Sequence, residues 1–501
     1  MNRPRLAAVA LLASIAVLVP AQIGAANGQL PIPALPTDFL TQPFTGTAVT
    51  ANPLPHEAIK QNPHLAANGT NSMHNDAYAS DAYEGLGPLG HKLKARSAWY
   101  GVSECATVAF DSRGRMVGLC GDLGGFKMRL INPTKLTTIG SDLTTSKRNL
   151  LTLQNPFTDI CGGTYFSLDD NDVAYVLTID KQVWKVRVDE AGFTKLGSFD
   201  ASPKMAADDC MVATLPDWDG NIFYVTQKGQ VGVINPETGS IKTMQFPAGE
   251  GIYNSISGDE SGAIYIVTDH KLYAVEADAS GQPRTRWEAA YDRGTQQKSG
   301  QLSQGSGTTV TVIGDDLVAI TDNAEPRMNV LFYKRDGANP GQLLCKVPVF
   351  GAGASDTENS LIYAGGLPNG PRSVIVENNY GYEGVQSTMF GATSTGGVAK
   401  VSINPDNSCQ VDWTNPIVSP TPVPKVSLAA GLLYVYAKPK SNFLDDSWYF
   451  TAIDVRTGAT KWQQRTGNGI QWNNHYAAIY LGPDGTAYMP TLTGMISFKD
   501  S

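Results

Sequence analysis

The chain has 501 residues, 42% of them apolar and only 17% charged, with 51 glycines, 30 prolines and 20 tyrosines. Abundant turn formers and aromatics with few charges speak for many short strands and against a mainly helical chain. Formal net charge is -8, and no run of Lys or Arg is long enough to give a nucleic-acid or anionic-membrane surface, so neither is expected as a partner.

In chain order, residues 1–26 read as a secretory signal. Arg3 and Arg5 precede the apolar stretch Leu6 to Val19, and Gly24-Ala25-Ala26 supplies small residues for cleavage. That stretch is shorter than the roughly 20 residues a membrane-spanning helix needs. The expected product is secreted or periplasmic, with no membrane span after cleavage. Residues 27–70 are rich in Pro, Ala, Asn and Thr and read as an extended arm. Residues 71–96 are a lead-in loop over the channel, opening on Met73-His74-Asn75-Asp76. Residues 97–501 carry a repeat.

The repeat is a turn, an apolar-aromatic-apolar strand, a polar break and a second strand. It shows in Met116-Val117-Gly118-Leu119, Ala174-Tyr175-Val176-Leu177, Ile222-Phe223-Tyr224-Val225 and Ile264-Tyr265-Ile266-Val267. It returns at Leu317-Val318-Ala319-Ile320, Val374-Ile375-Val376, Leu433-Tyr434-Val435 and Ala487-Tyr488-Met489. Eight copies at a spacing of roughly 40 to 60 residues predict an all-β, eight-bladed β-propeller. Seven blades are the alternative, because Gly/Asn-rich sequence stretches the repeat over residues 365–400. Only three residues follow Met495-Ile496-Ser497-Phe498, so the last blade lacks its outer strand. A segment near Lys92 to Val102 is expected to cover that edge and close the ring.

The six cysteines are even in number, as an oxidising compartment permits. Cys105 and Cys120 flank one hairpin turn symmetrically. Cys161 and Cys210 start the inner strands of successive blades, and Cys345 and Cys409 lie in outermost strands of successive blades. These three pairs are the expected bridges.

The phrases Ile453-Asp454-Val455-Arg456-Thr457-Gly458-Ala459-Thr460-Lys461-Trp462 and Gly494-Met495-Ile496-Ser497-Phe498 resemble the quinoprotein alcohol dehydrogenase-like propellers. The resemblance implies the fold and not an activity, because this scaffold hosts dehydrogenases, transferases, hydrolases and inert assembly proteins. An adjacent Cys pair and a regular tryptophan-docking motif are missing. Pyrroloquinoline quinone is therefore not the expected cofactor.

In a propeller the starts of the inner strands converge on one face. Glu104, Asp209, Asn254, Glu358, Asn359, Asn474 and His475 fall there. Imidazole as a group titrates near neutrality, so His475 suits a general base, or a hydrogen bond between blades. Glu104, Asp209 and Glu358 suit an acid/base pair or a hard cation such as Ca²⁺, or they cap strand starts. Asn254, Asn359 and Asn474 offer ligand hydrogen bonds. His74 and Asp76 are placed to close over the site, the alternative being a turn satisfying its own backbone. Arg327 suits an anionic ligand group, or an ion pair with Glu325. The loops after second strands, with Asp269, Asp322 and Glu377-Asn378-Asn379, belong to either face by this reading. HExxH, GxSxG, a P-loop and an EF-hand loop are absent.

The expectation is a secreted propeller enzyme acting on a small organic or sugar-like ligand in the central funnel, by acid/base or metal-assisted chemistry. A non-catalytic binding or assembly scaffold is the alternative, and a quinone-dependent oxidoreductase ranks third.

Overall fold

The computed structural model describes residues 29–33, 43–147, 161 and 164–501. The expected signal lies outside the described residues. Eight sheets form the ring, seven of four strands and one of six. Blade 1 comprises Ser103–Phe110, Met116–Asp122, Gly125–Ile131 and Leu143–Lys147. The inner strands of blades 2 to 8 are Ser167–Leu168, Met211–Pro216, Ser257–Gly258, Thr311–Ile313, Ile362–Tyr363, Lys425–Ser427 and Tyr480–Leu481.

Each blade packs against a neighbour on both faces, so its central strands are apolar throughout. Ile222–Thr226 is buried at every position, whereas the outer strand Ile241–Gln245 is half exposed. Turns between the first and second strands share one chemistry. Asp111, Asp169 and Asp217 each accept the backbone N–H groups two and four positions on through Oδ1. The residue three positions on then takes a positive φ, as at Gly114 (71°), Asp172 (57°) and Gly220 (84°).

The stretch 365–400, which left seven blades open, belongs to a complete blade 6. Arg372–Glu377 and Val398–Ile403 are paired strands, and the residues between them form an excursion carrying a short 3₁₀ turn, Val385–Thr388. Lys94–Trp99 pairs antiparallel with Gly494–Lys499 and closes the last blade, as the missing outer strand required. The bridges are Cys105–Cys120, Cys161–Cys210 and Cys345–Cys409, with no free cysteine. Among the described residues no helix is long and apolar enough to cross a membrane.

The arm and lead-in travel round the ring twice. Phe44–Gly46 adds to the outer edge of blade 7. The chain then crosses the face carrying the first turns: Leu54 N–H bonds Leu428 O, Lys60 meets Glu260 and Asp315, Asn62 donates to Pro216 O, and Ala66 N–H bonds Leu168 O. From Thr70, whose carbonyl accepts Phe110 N–H, it returns inside the ring. Gly258, Val312, Tyr363 and Val426 donate their N–H groups to Ala77, Tyr78, Ser80 and Asp81 in turn. The segment expected as a loop over the channel thus lies within it. Edge N–H groups of the short inner strands need acceptors, and this segment's carbonyls supply them.

Candidate functional site

Two antiparallel strands return the chain to its starting end. Inner-strand starts and the loops after second strands therefore share one face, settling the parity left open above. Asp269 N–H bonds Gly251 O, and Asn379 N–H bonds Asp356 O. The other face is crossed by the arm, so the strand-start face is the mouth.

Glu104, second residue of blade 1's inner strand, accepts the main-chain N–H of His475, from blade 8, at 2.9 Å through Oε1. Burial pushes its carboxyl up to about 8, against the lowering effect of that bond. Tyr382, from the blade 6 excursion, holds His475 Nδ1 at 2.8 Å. Tyr476 follows with a φ of 61°, strained backbone for a bulky residue, and donates its hydroxyl to Gly300 O at 2.8 Å. Residues 299–302 lie over this sector: Leu302 N–H bonds Glu358 Oε1 at 2.9 Å, and Gly381 N–H bonds Ser299 O.

Glu358 Oε2 and both Asp356 carboxylate oxygens have no hydrogen-bond partner. Burial holds both carboxyls well above the ordinary range. Glu377 is also pushed by burial up to about 8; its Oε2 accepts Asn359 Nδ2 at 2.5 Å and Asn379 Nδ2 at 3.1 Å. The Glu358, Asp356 and Glu377 carboxyls all act on the Tyr476 phenol, adding to the burial that raises it. This sector is thus rich in acceptors and in carboxyls kept neutral near pH 7. Protonated, such a carboxyl is a hydrogen-bond and proton donor.

Of the residues singled out from sequence, Glu104 meets the backbone of His475, and the Glu358 carboxyl acts electrostatically on the neighbouring Tyr476 phenol. Asn359 serves Glu377, and buried Asn474 donates to Pro490 O. Asp209 caps its own blade through Cys210 and Lys228 N–H, and Asn254 donates to Ser306 O. Arg327 is exposed beside the turn at Pro326, and Glu325 is held by Thr295 rather than by Arg327. Asp356 and Tyr476 were missed. The pairing of Asp356 with Glu358 in one short phrase was the available signal.

His74 and Asp76, expected to close over the site, form the channel floor. Asp76 accepts Ser80 N–H and hydroxyl, and burial raises it to about 7. His74 Nδ1 meets Asp81 Oδ2 at 3.0 Å, its Nε2 faces Thr309 Oγ1 at 3.3 Å, and its ring stacks on Tyr165. Lys425 contacts Asp81 Oδ1. Burial raises the Asp81 carboxyl, but the Lys425 and His74 charges outweigh it and leave the group lowered. Among the described residues no group of three or more His, Cys, Asp or Glu is placed to hold a metal ion.

No protein-family model matches the chain. An uncharacterized protein of Archaeoglobus fulgidus is 27% identical over 324 residues, 58% of this chain. The chain spans 61% of that relative's length. Among solved structures, BamB from Moraxella catarrhalis is similar with a TM-score of 0.45 and 11% identity, over 91% of this chain and 99% of that one. A catalytically inactive virginiamycin B lyase from Staphylococcus aureus, crystallised with quinupristin, has a TM-score of 0.40 and 8% identity, over 81% and 99%. The propeller itself is read from this chain's own sheets.

Proposed function

We propose that the chain is an exported enzyme that takes a small polar, sugar-like or other organic ligand at the strand-start mouth and acts on it by acid/base chemistry. Glu104 is the general acid, neutral near pH 7, and His475, its ring set by Tyr382, is the base. Glu358 and Asp356 accept hydrogen bonds from the ligand. The observation that carries this reading is the bond from the His475 backbone N–H to the Glu104 carboxyl, which brings the His475 loop of blade 8 against blade 1, beside carboxyls whose oxygens lack partners. Three disulfides fit an extracellular or periplasmic protein. At the level of fold the reading keeps the likeness to quinoprotein alcohol dehydrogenase-like propellers, with no cofactor assigned.

The test is a thermal-shift screen of small sugars, polyols and organic acids against wild type and Glu104→Gln, His475→Asn and Asp356→Asn. A hit should shift wild type and lose at least tenfold in affinity in these variants. A hit of equal affinity in all four proteins would place the ligand elsewhere and end this assignment.

A scaffold reading has its own observation. Phe390 and Phe443 are exposed and stacked at 5.2 Å, beside exposed Leu444. Exposed apolar groups of this kind suit contact with another macromolecule. Retention of a partner from native extracts by wild type, lost in Phe390→Ser/Phe443→Ser, would favour it over catalysis.

A further inference from the structure

Asp81 and Lys425 are fully buried and in contact. Each charge taken out of water at such depth carries a penalty of several kcal/mol, which attraction between them offsets only with additional hydrogen bonds. What else touches the carboxyl sets this pair apart. Oδ1 meets Lys425 Nζ and Oδ2 receives the Ser360 hydroxyl, while His74 Nδ1 faces both, nearer to Oδ2 at 3.0 Å than to Oδ1 at 3.3 Å. The remaining Lys425 hydrogen bonds go to neutral acceptors, Met73 O at 2.6 Å and Asn75 Oδ1 at 3.2 Å. The Tyr480 ring stands 5.9 Å from Nζ. The Lys425 nitrogen thus touches one oxygen of a carboxyl whose other oxygen is already met by donors, one short step from the arrangement that acyl transfer needs.

We propose that Lys425 Nζ and Asp81 Cγ join as an amide in the folded protein, welding the channel-filling segment to blade 7. The ammonium proton first passes to Asp81 Oδ1, leaving a free amine and a neutral acid. The Nζ lone pair then attacks Cγ, and the negative charge on Oδ2 is met by Ser360 and by His74 with its hydrogen on Nδ1. A second Nζ proton passes to the Oδ1 hydroxyl, the C–Oδ1 bond breaks, and water leaves. An amine and an acid have become an amide and water, with no oxidant, metal or cofactor consumed. Burial already holds the Lys425 ammonium below the ordinary lysine range, toward the amine form. The product carries no charge, so the desolvation cost of the pair disappears. It also closes a covalent ring across a separation of 344 positions.

Peptide mapping of the purified full chain, reduced and digested with trypsin, tests this. The expected result is no cleavage after Lys425 and a branched peptide holding both residues, one water lighter than its two linear parts. Efficient cleavage after Lys425 with an unlinked Asp81 peptide would overturn the proposal. Lys425→Met should give only linear peptides. In His74→Gln the linked fraction should accumulate at least tenfold more slowly during refolding, and formation at the wild-type rate would remove His74 from the reaction. Because the first readout is made on wild type, it stands even if a variant fails to fold.

Discussion

At the floor of the channel Asp76, Asp81, Lys425 and His74 all find partners within the same molecule. At the mouth, Asp356 and Glu358 present oxygens that nothing donates to, and Glu104 and Glu377 are held near neutrality by burial. Both regions gather polar groups from distant parts of the chain. Convergence alone is therefore a poor guide to function in a propeller. What separates the two is satisfaction: a complete network rigidifies, while an incomplete one stores capacity for a ligand or a proton.

The strongest way to break this comparison is to remove the lysine at the floor. Lys425→Ala should cost about 3–5 kcal/mol in urea unfolding, because the Asp81 carboxyl is left buried without its lysine partner. A loss under 1 kcal/mol would show the floor to be as loosely satisfied as the mouth.

Next, opening the rim should cost less. Cys345→Ser with Cys409→Ser releases a bridge of separation 64 between the outer strands of blades 5 and 6. About 2–4 kcal/mol of lost stability is expected by the same measurement.

The mouth carboxyls sharpen the contrast through pH. Glu104 ionises near 4.5 when unfolded and is raised to about 8 when folded. The folded state therefore holds the extra proton between those values, and stability falls as pH rises through that window, by about 1.4 kcal/mol per unit for such a group. Glu377 adds to the same slope. Glu104→Gln should match wild type near pH 4.5, exceed it at pH 8, and flatten the slope in melts taken across that range. A steeper slope in the variant would place the protonated carboxyl elsewhere.

The smallest effect is expected on an outer strand. Lys195 Nζ lies 3.8 Å from the Trp184 ring centroid at the surface of blade 2. Lys195→Ala should cost about 0.5–1 kcal/mol, with no effect on ligand shifts at the mouth.

Much of the ring was legible because it is written in local chemistry. Period-two strands, the Asp turns and the unpaired last edge pointed to eight blades and to the closing strand Lys94–Trp99. Cys105 and Cys120 could be paired because a hairpin register is a matter of counting. Glu104 and His475 met because ring closure obliges blade 8 to abut blade 1. The arm's course was hidden, since residues 54–83 follow no period of their own and answer to the inner-strand edges of other blades. Lys425 sits inside a strand, and nothing near it in sequence announces a partner at Asp81. Asp209 and Arg327 carried the right chemistry, but turn geometry decides their surroundings: Asp209 is taken up by its own backbone, and Arg327 is turned to solvent.

One consequence of the doubled-back lead-in concerns traffic. With residues 77–81 bonded along the inner strands of blades 4 to 7, the axle space of the wheel is narrowed by the chain itself. Passage from the mouth toward the arm-covered face has to go by that backbone.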